Sequence, residues 1–253
     1  MKNIKTELYH DHFQNYKRYN IPKAQLVIAD IPYNLGNNAY ASSTEWYIDG
    51  DNKNGESSKA GKQFFNTDKN FNLVEYMHFC TKLLKPEPKE PNKAPAMIIF
   101  CSFQQMHMVI DNGIKYGFPK RYPLFFIKNY SSQVLKANMK IVGATEHAIV
   151  LYRDKLPKFN NHGKMIFNWM EWTKDNSTPK IHPTQKPIPV LKRLIEIFTD
   201  PGDVVIDPCA GSGTTLRAAA ELNRHSYGFE IDKNFYREAK DKMLKNIQMS
   251  LII

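Results

Sequence analysis

Apolar runs and helically spaced apolar positions take turns along this chain. Gln25-Leu26-Val27-Ile28-Ala29, Ala96 to Cys101 and Asp203-Val204-Val205-Ile206 are short continuous apolar stretches, the pattern of buried strands. Ile4 to Tyr9, Tyr122 to Lys128, Glu146 to Tyr152 and His225 to Glu230 predict further strands. Helical spacing appears in Phe13 to Tyr19, in Phe71 to Leu84, and in Gln104 to Tyr116 with Gly117 as its stop. It recurs in Ile188 to Phe198, where Leu191, Leu194, Ile195 and Phe198 share a face, and in Thr214 to Leu222. Pro189 falls in a first turn, where proline is tolerated. A last helix, Lys233 to about Met249, is basic on its solvated side. Alternation of this kind predicts an α/β chain with a doubly wound, mostly parallel sheet, and no repeat interrupts it.

The rhythm breaks in several places. Residues 34–68 are rich in Asn, Gly, Ser and Lys, and a polar stretch of that length is either functional or disordered. It follows Asp30-Ile31-Pro32-Tyr33 directly, so a flap over a substrate and plain disorder are both open readings. Lys85 to Pro91 is a solvated connector, and 128–140 reads as a polar, basic loop. Residues 153–181 interleave Arg153, Lys155, Lys158, Lys164, Lys174 and Lys180 with Phe159, Phe167, Trp169 and Trp172. Such a mixture suits contact with a nucleic-acid backbone and base stacking. The alternative is a small packed unit whose aromatics are core.

Composition narrows the class. The chain of 253 residues is long enough for one large domain with a real core. A formal charge of +10 and a pI of about 9.3 favour a polyanionic partner. Cys80, Cys101 and Cys209 are far apart, with no Cys-x-x-Cys pair, so a zinc site or disulfide framework is not expected and a reducing, cytoplasmic setting is. No long apolar run suggests a membrane span.

The strand at 203–206 ends in Asp207-Pro208-Cys209-Ala210-Gly211-Ser212-Gly213, a turn of small residues that leads into the helix at Thr214. Strand, glycine turn and helix form a nucleotide-type pocket at the carboxyl edge of a parallel sheet. No Gly-Lys-Ser/Thr follows, so this is not a phosphate loop, and Leu216 occupies the third glycine position of a dinucleotide fingerprint. Glu230 ends the next strand about 20 residues on, where an acid can take ribose hydroxyls. With Asp207 it puts two carboxylates at one pocket, which suits a ligand carrying a ribose and a cationic centre.

Three motifs together resemble the β class of S-adenosylmethionine-dependent DNA amino-methyltransferases, and the resemblance spans most of the chain. Asp30-Ile31-Pro32-Tyr33 is similar to the family's catalytic tetrapeptide, with Ile31 where Pro is common. Asp207 to Thr214 resembles its cofactor motif, and His182-Pro183-Thr184-Gln185-Lys186-Pro187 the segment before it. The order, catalytic before cofactor motif, matches the class. The resemblance implies a Rossmann-like fold of the class I methyltransferase type in a single domain. Its catalytic half would be 1–152, its target-recognition segment 153–181 and its cofactor half 182–253.

It implies Asp30, Ile31, Pro32 and Tyr33 as catalytic residues. Asp11, Thr184, Lys186, Asp207, Pro208, Cys209, Gly211, Ser212, Gly213, Thr214 and Glu230 would hold S-adenosylmethionine, with no metal. The partner would be DNA and not a membrane; a homodimer and a companion restriction endonuclease stay open. Asp30 and the Ile31 carbonyl would accept the two N–H bonds of a target amine, and Tyr33 would stack on a base drawn from the duplex. Aspartate at the first position favours adenine-N6 over cytosine-N4. Methylation of RNA or of a protein glutamine fits the motif order less well, and a DNA-binding pseudo-enzyme fits the intact motifs less well.

Overall fold

The computed structural model describes residues 4–32, 71–130, 133–136, 141–182, 184–245 and 247. Tyr33 and the 34–68 stretch read above as a flap lie outside the described residues.

The strands are β1 (Thr6–Tyr9), β2 (Leu26–Asp30), β3 (Ala96–Phe100), β4 (Lys120–Lys128), β5 (Gln133–Lys136), β6 (Ile141–Gly143), β7 (Thr145–Tyr152), β8 (Trp169–Trp172), β9 (Val204–Asp207) and β10 (His225–Phe229). The helices are α1 (Leu73–Leu83), α2 (Met106–Lys115), α3 (Ile188–Phe198), α4 (Thr214–Glu221) and α5 (Lys233–Glu238). Among the described residues eight strands form one sheet in the order β1-β10-β9-β2-β3-β7-β4-β8. All neighbours are parallel except β7, which runs against both β3 and β4. The sheet is therefore doubly wound and mostly parallel, as the alternation of elements predicts. Among the described residues no helix is long and apolar enough to cross a membrane.

Side-chain alternation divides the core. Val27, Ala29, Met97, Ile99 and Ile206 face one layer, where Tyr76, Phe79 and Phe13 cover them from α1 and the amino-terminal segment. Leu26, Ile28, Ile98, Phe100, Leu124, Phe126, Ala148, Val150 and Val205 face the other, under Leu191, Leu194 and Ile195 of α3 and Ala218 and Ala219 of α4. Continuous apolar strands arise because both faces of a parallel sheet are covered.

The structure departs from the sequence reading in four places. The segment at 13–19 is a 3-10 helix, Phe13–Arg18, opened by a hydrogen bond from Gln14 N to the His12 ring. The 128–140 stretch, expected as a loop, contains β5, which pairs with β6 in a separate two-stranded ribbon. The final helix passes from α5 into a π-helical turn at Ala239–Met243, and 248–253 lie outside the described residues. Part of 153–181 joins the sheet: β8 pairs with β4 and buries Trp172 while leaving Trp169 exposed.

Candidate active site

The inner-face stripe under α3 does not stay apolar to its end. With a period of two, Asp30 follows Leu26 and Ile28, and Asp207 follows Val205. Lys128 likewise follows Leu124 and Phe126, while Glu146 precedes Ala148 and Val150 on the reversed strand. Because β7 runs backwards, its start lies at the same edge as the ends of β2, β4 and β9. Charges of both signs therefore collect at the carboxyl edge of the parallel strands, where β9 and β2 are neighbours. This is the edge at which open α/β sheets bind ligands.

Asp30 stands at the end of β2 with 28% of its side chain exposed, and its Oδ2 pairs with the Lys186 ammonium. Oδ1 is buried and has no hydrogen-bond partner among the described residues. Burial pushes the Asp30 carboxyl above its ordinary range, and the Lys186 charge opposes that rise. The following main chain is fixed from β3. Ile31 N donates to Phe100 O at 3.2 Å, and Gln105 Nε2 donates to Pro32 O at 2.8 Å. Gln105 is itself held, its Oε1 accepting from Ser102 N and Oγ, each at 3.1 Å. Ile31 is buried against the α1 layer, so its side chain anchors the turn while its backbone stays at the edge.

The cofactor-type turn is built on main-chain amides. Asp207 Oδ1 accepts from Cys209 N at 3.0 Å, which closes the turn after β9. Glu230 Oε2 accepts from Gly211 N at 2.8 Å and Oε1 from Asp232 N at 2.6 Å. Burial raises both carboxyls, Asp207 to about 7 and Glu230 to about 7. Gly213 adopts φ +78°, a left-handed conformation that disfavours side chains, and caps α4 without a side-chain hydrogen bond. The first amides of α4 thus remain available to a ligand. Space where a Gly211 side chain would stand is open, with no atom within 4 Å. Gly228 is needed for another reason: a Cβ there would lie 2.7 Å from Leu216 Cδ1, so strand and helix could not pack as closely.

The structure brings together Asp30, Ile31, Pro32, Lys186, Asp207, Cys209, Gly211 and Glu230 around this edge. Pro208, Ser212 and Thr214 are buried within the turn and the helix start. Thr184 is exposed and its Oγ1 meets the His182 ring at 3.0 Å. Asp11 is taken up locally, accepting from His12 N, Asn15 Nδ2 and the Tyr19 hydroxyl and pairing with Arg18 at 3.5 Å. Lys186, expected among the cofactor residues, has its ammonium on Asp30. Tyr33 lies outside the described residues. Sequence reasoning missed Gln105, Lys128 and Glu146. For the last two a signal existed, a charged residue in register at the end of an apolar alternation; for Gln105 there was none. An open cleft of about 650 Å³, lined by Phe159, His162, Arg193 and Arg224 among others, lies against the far end of α3 and includes none of these groups.

Comparison with known proteins identifies the family and the fold. Residues 24–241 match the family model described as DNA methylase, of the N6/N4 methyltransferase type. The DNA adenine methyltransferase YhdJ of Escherichia coli is 25% identical over 92% of this chain and 80% of its own length. The type II methyltransferase M.HindIII of Haemophilus influenzae is 47% identical over a shorter stretch, 24% of this chain and 20% of that protein. Among solved structures, the M1.HpyAVI–SAM complex superposes with a TM-score of 0.65 at 24% identity, covering 95% of this chain and 99% of the other. The chain belongs to the N6/N4 DNA methylase family.

Proposed function

We propose that this DNA methylase transfers a methyl group from S-adenosylmethionine to the N6 amine of an adenine drawn out of DNA. Asp30, Ile31, Pro32 and Tyr33 form the amine site in this reading. The observation that carries it is Asp30 Oδ1, a buried carboxylate oxygen without a partner among the described residues, beside a glycine turn with open space. Orphan buried acceptors are rare, and one at a ligand-binding edge fits a donor that arrives with substrate. Adenine is favoured by aspartate at the first motif position and by the name of the Escherichia coli relative.

The residues fit the cofactor. Gly211 leaves room for a nucleoside, Gly213 supplies the left-handed turn into α4, and the first amides of α4 are free of side-chain caps. Glu230 and Asp207 offer carboxylates to ribose hydroxyls and to a cationic group. When bound, S-adenosylmethionine supplies an electrophilic methyl on a sulfonium. The protein's part is orientation and charge. Adenine's amine is a weak nucleophile because its lone pair is delocalised into the ring. Asp30 Oδ1 and the Ile31 carbonyl would accept its two N–H bonds and free the pair for attack. As the nitrogen gained its fourth bond, the methyl–sulfur bond would break with its electron pair left on the departing thioether, and the proton shed by the nitrogen would be held at Oδ1.

We assign DNA contact to segment 153–181, supported by its basic residues and by Phe167 and Trp169, which are exposed and stacked at 5.8 Å. The test is incubation with DNA and S-adenosylmethionine, followed by digestion to nucleosides and mass spectrometry. N6-methyladenine is expected. N4-methylcytosine in its place would overturn the adenine assignment, and no methylated base would overturn the enzymatic one.

A further inference from the structure

Behind Asp30 lies a second, deeper layer of charge. The Lys186 side chain is only 8% exposed. Its ammonium sits 5.4 Å from the Phe100 ring centre and 5.6 Å from that of Trp172. Trp172 is buried and meets another buried cation: Lys128 Nζ lies 5.0 Å from it and 2.5 Å from Glu146 Oε1. One indole thus serves two ammonium groups, each paired with its own carboxylate, Asp30 for Lys186 and Glu146 for Lys128. A flexible lysine loses considerable rotamer freedom when buried, and ammonium groups are strongly hydrated. Two of them held this way at a strand edge form a built arrangement, because a buried ion pair contributes little stability on its own.

We infer that Lys186 is a positioning residue for methyl transfer, holding Oδ2 of Asp30 so that the carboxylate stays charged and presents Oδ1 to the target amine. This inference rests on the assignment of Asp30 to the amine site. The Phe100 and Trp172 rings fix where the ammonium can sit, and the Lys128–Glu146 pair fixes Trp172. The arrangement answers a conflict in the site. The acceptor must be desolvated to act on a weak nucleophile, and desolvation drives a carboxylate to take up a proton. A cation on the oxygen not used by substrate keeps the charge without occupying the useful lone pairs.

Other groups face this pair. Glu146 and Lys128 stand on β7 and β4, Asp207 on β9, Cys101 after β3 and Cys209 in the glycine turn. Tyr130 and His182 face Lys186. Burial holds Cys101 at about 12 and His182 at about 4, so neither titrates near neutrality. Asp207, near 7, does, and requires its own control.

The experiment measures the rate of methylation at saturating DNA and cofactor from pH 6 to 9 for the parent protein, Lys186→Met and Lys186→Arg. Removing the cation lets the Asp30 carboxyl rise, so less of it is ionised at any given pH and the acid limb moves to higher pH. The expected result for Lys186→Met is a rate at least tenfold lower at pH 7. The deficit should shrink by up to a decade per pH unit, with S-adenosylmethionine and DNA affinities close to the parent's. Lys186→Arg retains a cation and should keep the limb near its original place. Asp207→Asn should leave the Lys186→Met shift in force, which separates the two acids. If Lys186→Met does not fold, Lys186→Gln, which keeps a donor but no charge, carries the same expectation. An unshifted limb in the neutral variant, or the same uniform loss in both Lys186→Met and Lys186→Arg, overturns the inference. An Asp30→Ala protein that still methylates would sink the underlying site assignment instead.

Discussion

Two sets of carboxylates share one edge of the sheet and are held in opposite ways. Asp30, at the end of β2, is held by a side-chain cation, Lys186, which reaches it from the segment before α3. Asp207 and Glu230, at the ends of β9 and β10, are held by main-chain amides of the turns that follow them. Asp207 is buried and Asp30 and Glu230 are partly so, and in all three burial is the largest influence on the carboxyl. The difference lies in what offsets it. Hydrogen bonds are the chief offset at Asp207, from the Thr215 side chain and the Cys209 amide, and at Glu230, from the Asp232 and Gly211 amides, yet both acids still stand near 7. At Asp30 the chief offset is the full positive charge of Lys186, which reaches Asp207 only as a lesser influence behind its hydrogen bonds. In the proposed assignment, an acid that remains an acceptor is thereby separated from acids whose charge a ligand completes.

The sharpest way to break this comparison is to remove one member from each set. Asp30→Ala should lower the methylation rate by about two to three decades, the usual cost of deleting a group that stabilises the transition state. Cofactor binding by calorimetry should remain close to the parent value, because Gly211 and Glu230 are untouched. A variant that methylates at the parent rate would reduce the Asp30 to Pro32 stretch to a strand-ending turn.

Glu230→Ala should do the reverse. It removes the acceptor of the Gly211 amide and the candidate ribose partner. Cofactor affinity should fall by about 1–3 kcal/mol for a lost charge-assisted hydrogen bond. The rate at saturating cofactor should change far less. Equal damage to affinity and to saturated rate would mean that the two sets do not have separate tasks.

A smaller contrast concerns the tryptophans of β8. Trp172 is buried between Phe100 and Phe126, at 6.4 and 5.8 Å, and Trp172→Ala should cost about 3–5 kcal/mol of stability in a denaturant titration. Trp169 is 42% exposed. Trp169→Ala should leave stability within about 0.5 kcal/mol while weakening DNA binding by about 1–3 kcal/mol if it stacks on a base. Unchanged DNA affinity would move recognition away from this edge.

Much of the architecture was legible because buried parallel strands leave a strong mark. Ile188 to Phe198 shows its apolar face in the spacing, and the observed α3 has those bounds. The runs ending at Asp30 and Asp207 announce themselves because a charge directly after a buried run has to lie at an edge. Long-range pairings were not legible. Lys186 meets Asp30 from 156 positions away, and nothing local in the segment from His182 says which carboxylate it will reach. Gln105 clamps Pro32 from the start of a helix, with no periodic signal to mark it. The two tryptophans were ambiguous because β8 is only four residues long, too short for alternation to declare itself before its pairing with β4 is known.

The smallest predicted effect is a pH dependence, and it bears directly on how the two sets differ. Burial raises Asp207 and Glu230 to about 7, and the Asp207 charge adds to the rise at Glu230, so their titrations are expected to be linked. The sign follows from proton linkage. Between the ordinary carboxylate range and about 7 the folded, ligand-free protein holds protons that the unfolded chain has released. These acids therefore make the fold less stable as pH rises through that window. A ligand that needs the ionised forms must expel those protons, so its affinity moves the other way and rises with pH up to about 8. Each acid can contribute up to tenfold per unit below its pKa, about 1.4 kcal/mol. S-adenosylmethionine titrations at pH 6, 7 and 8 should show this rise, and calorimetry at pH 7 in buffers of different ionisation enthalpy should show net proton release. The ligand's own amine titrates nearby, so the decisive quantity is the difference between the parent protein and Glu230→Gln. That difference isolates the protein's contribution, and the variant should flatten the curve. Asp30 should share less in this proton release, because the Lys186 charge opposes the rise of its carboxyl. A curve equally steep in Glu230→Gln, and flattened only when Asp30 is replaced, would reverse the division of labour between the two sets.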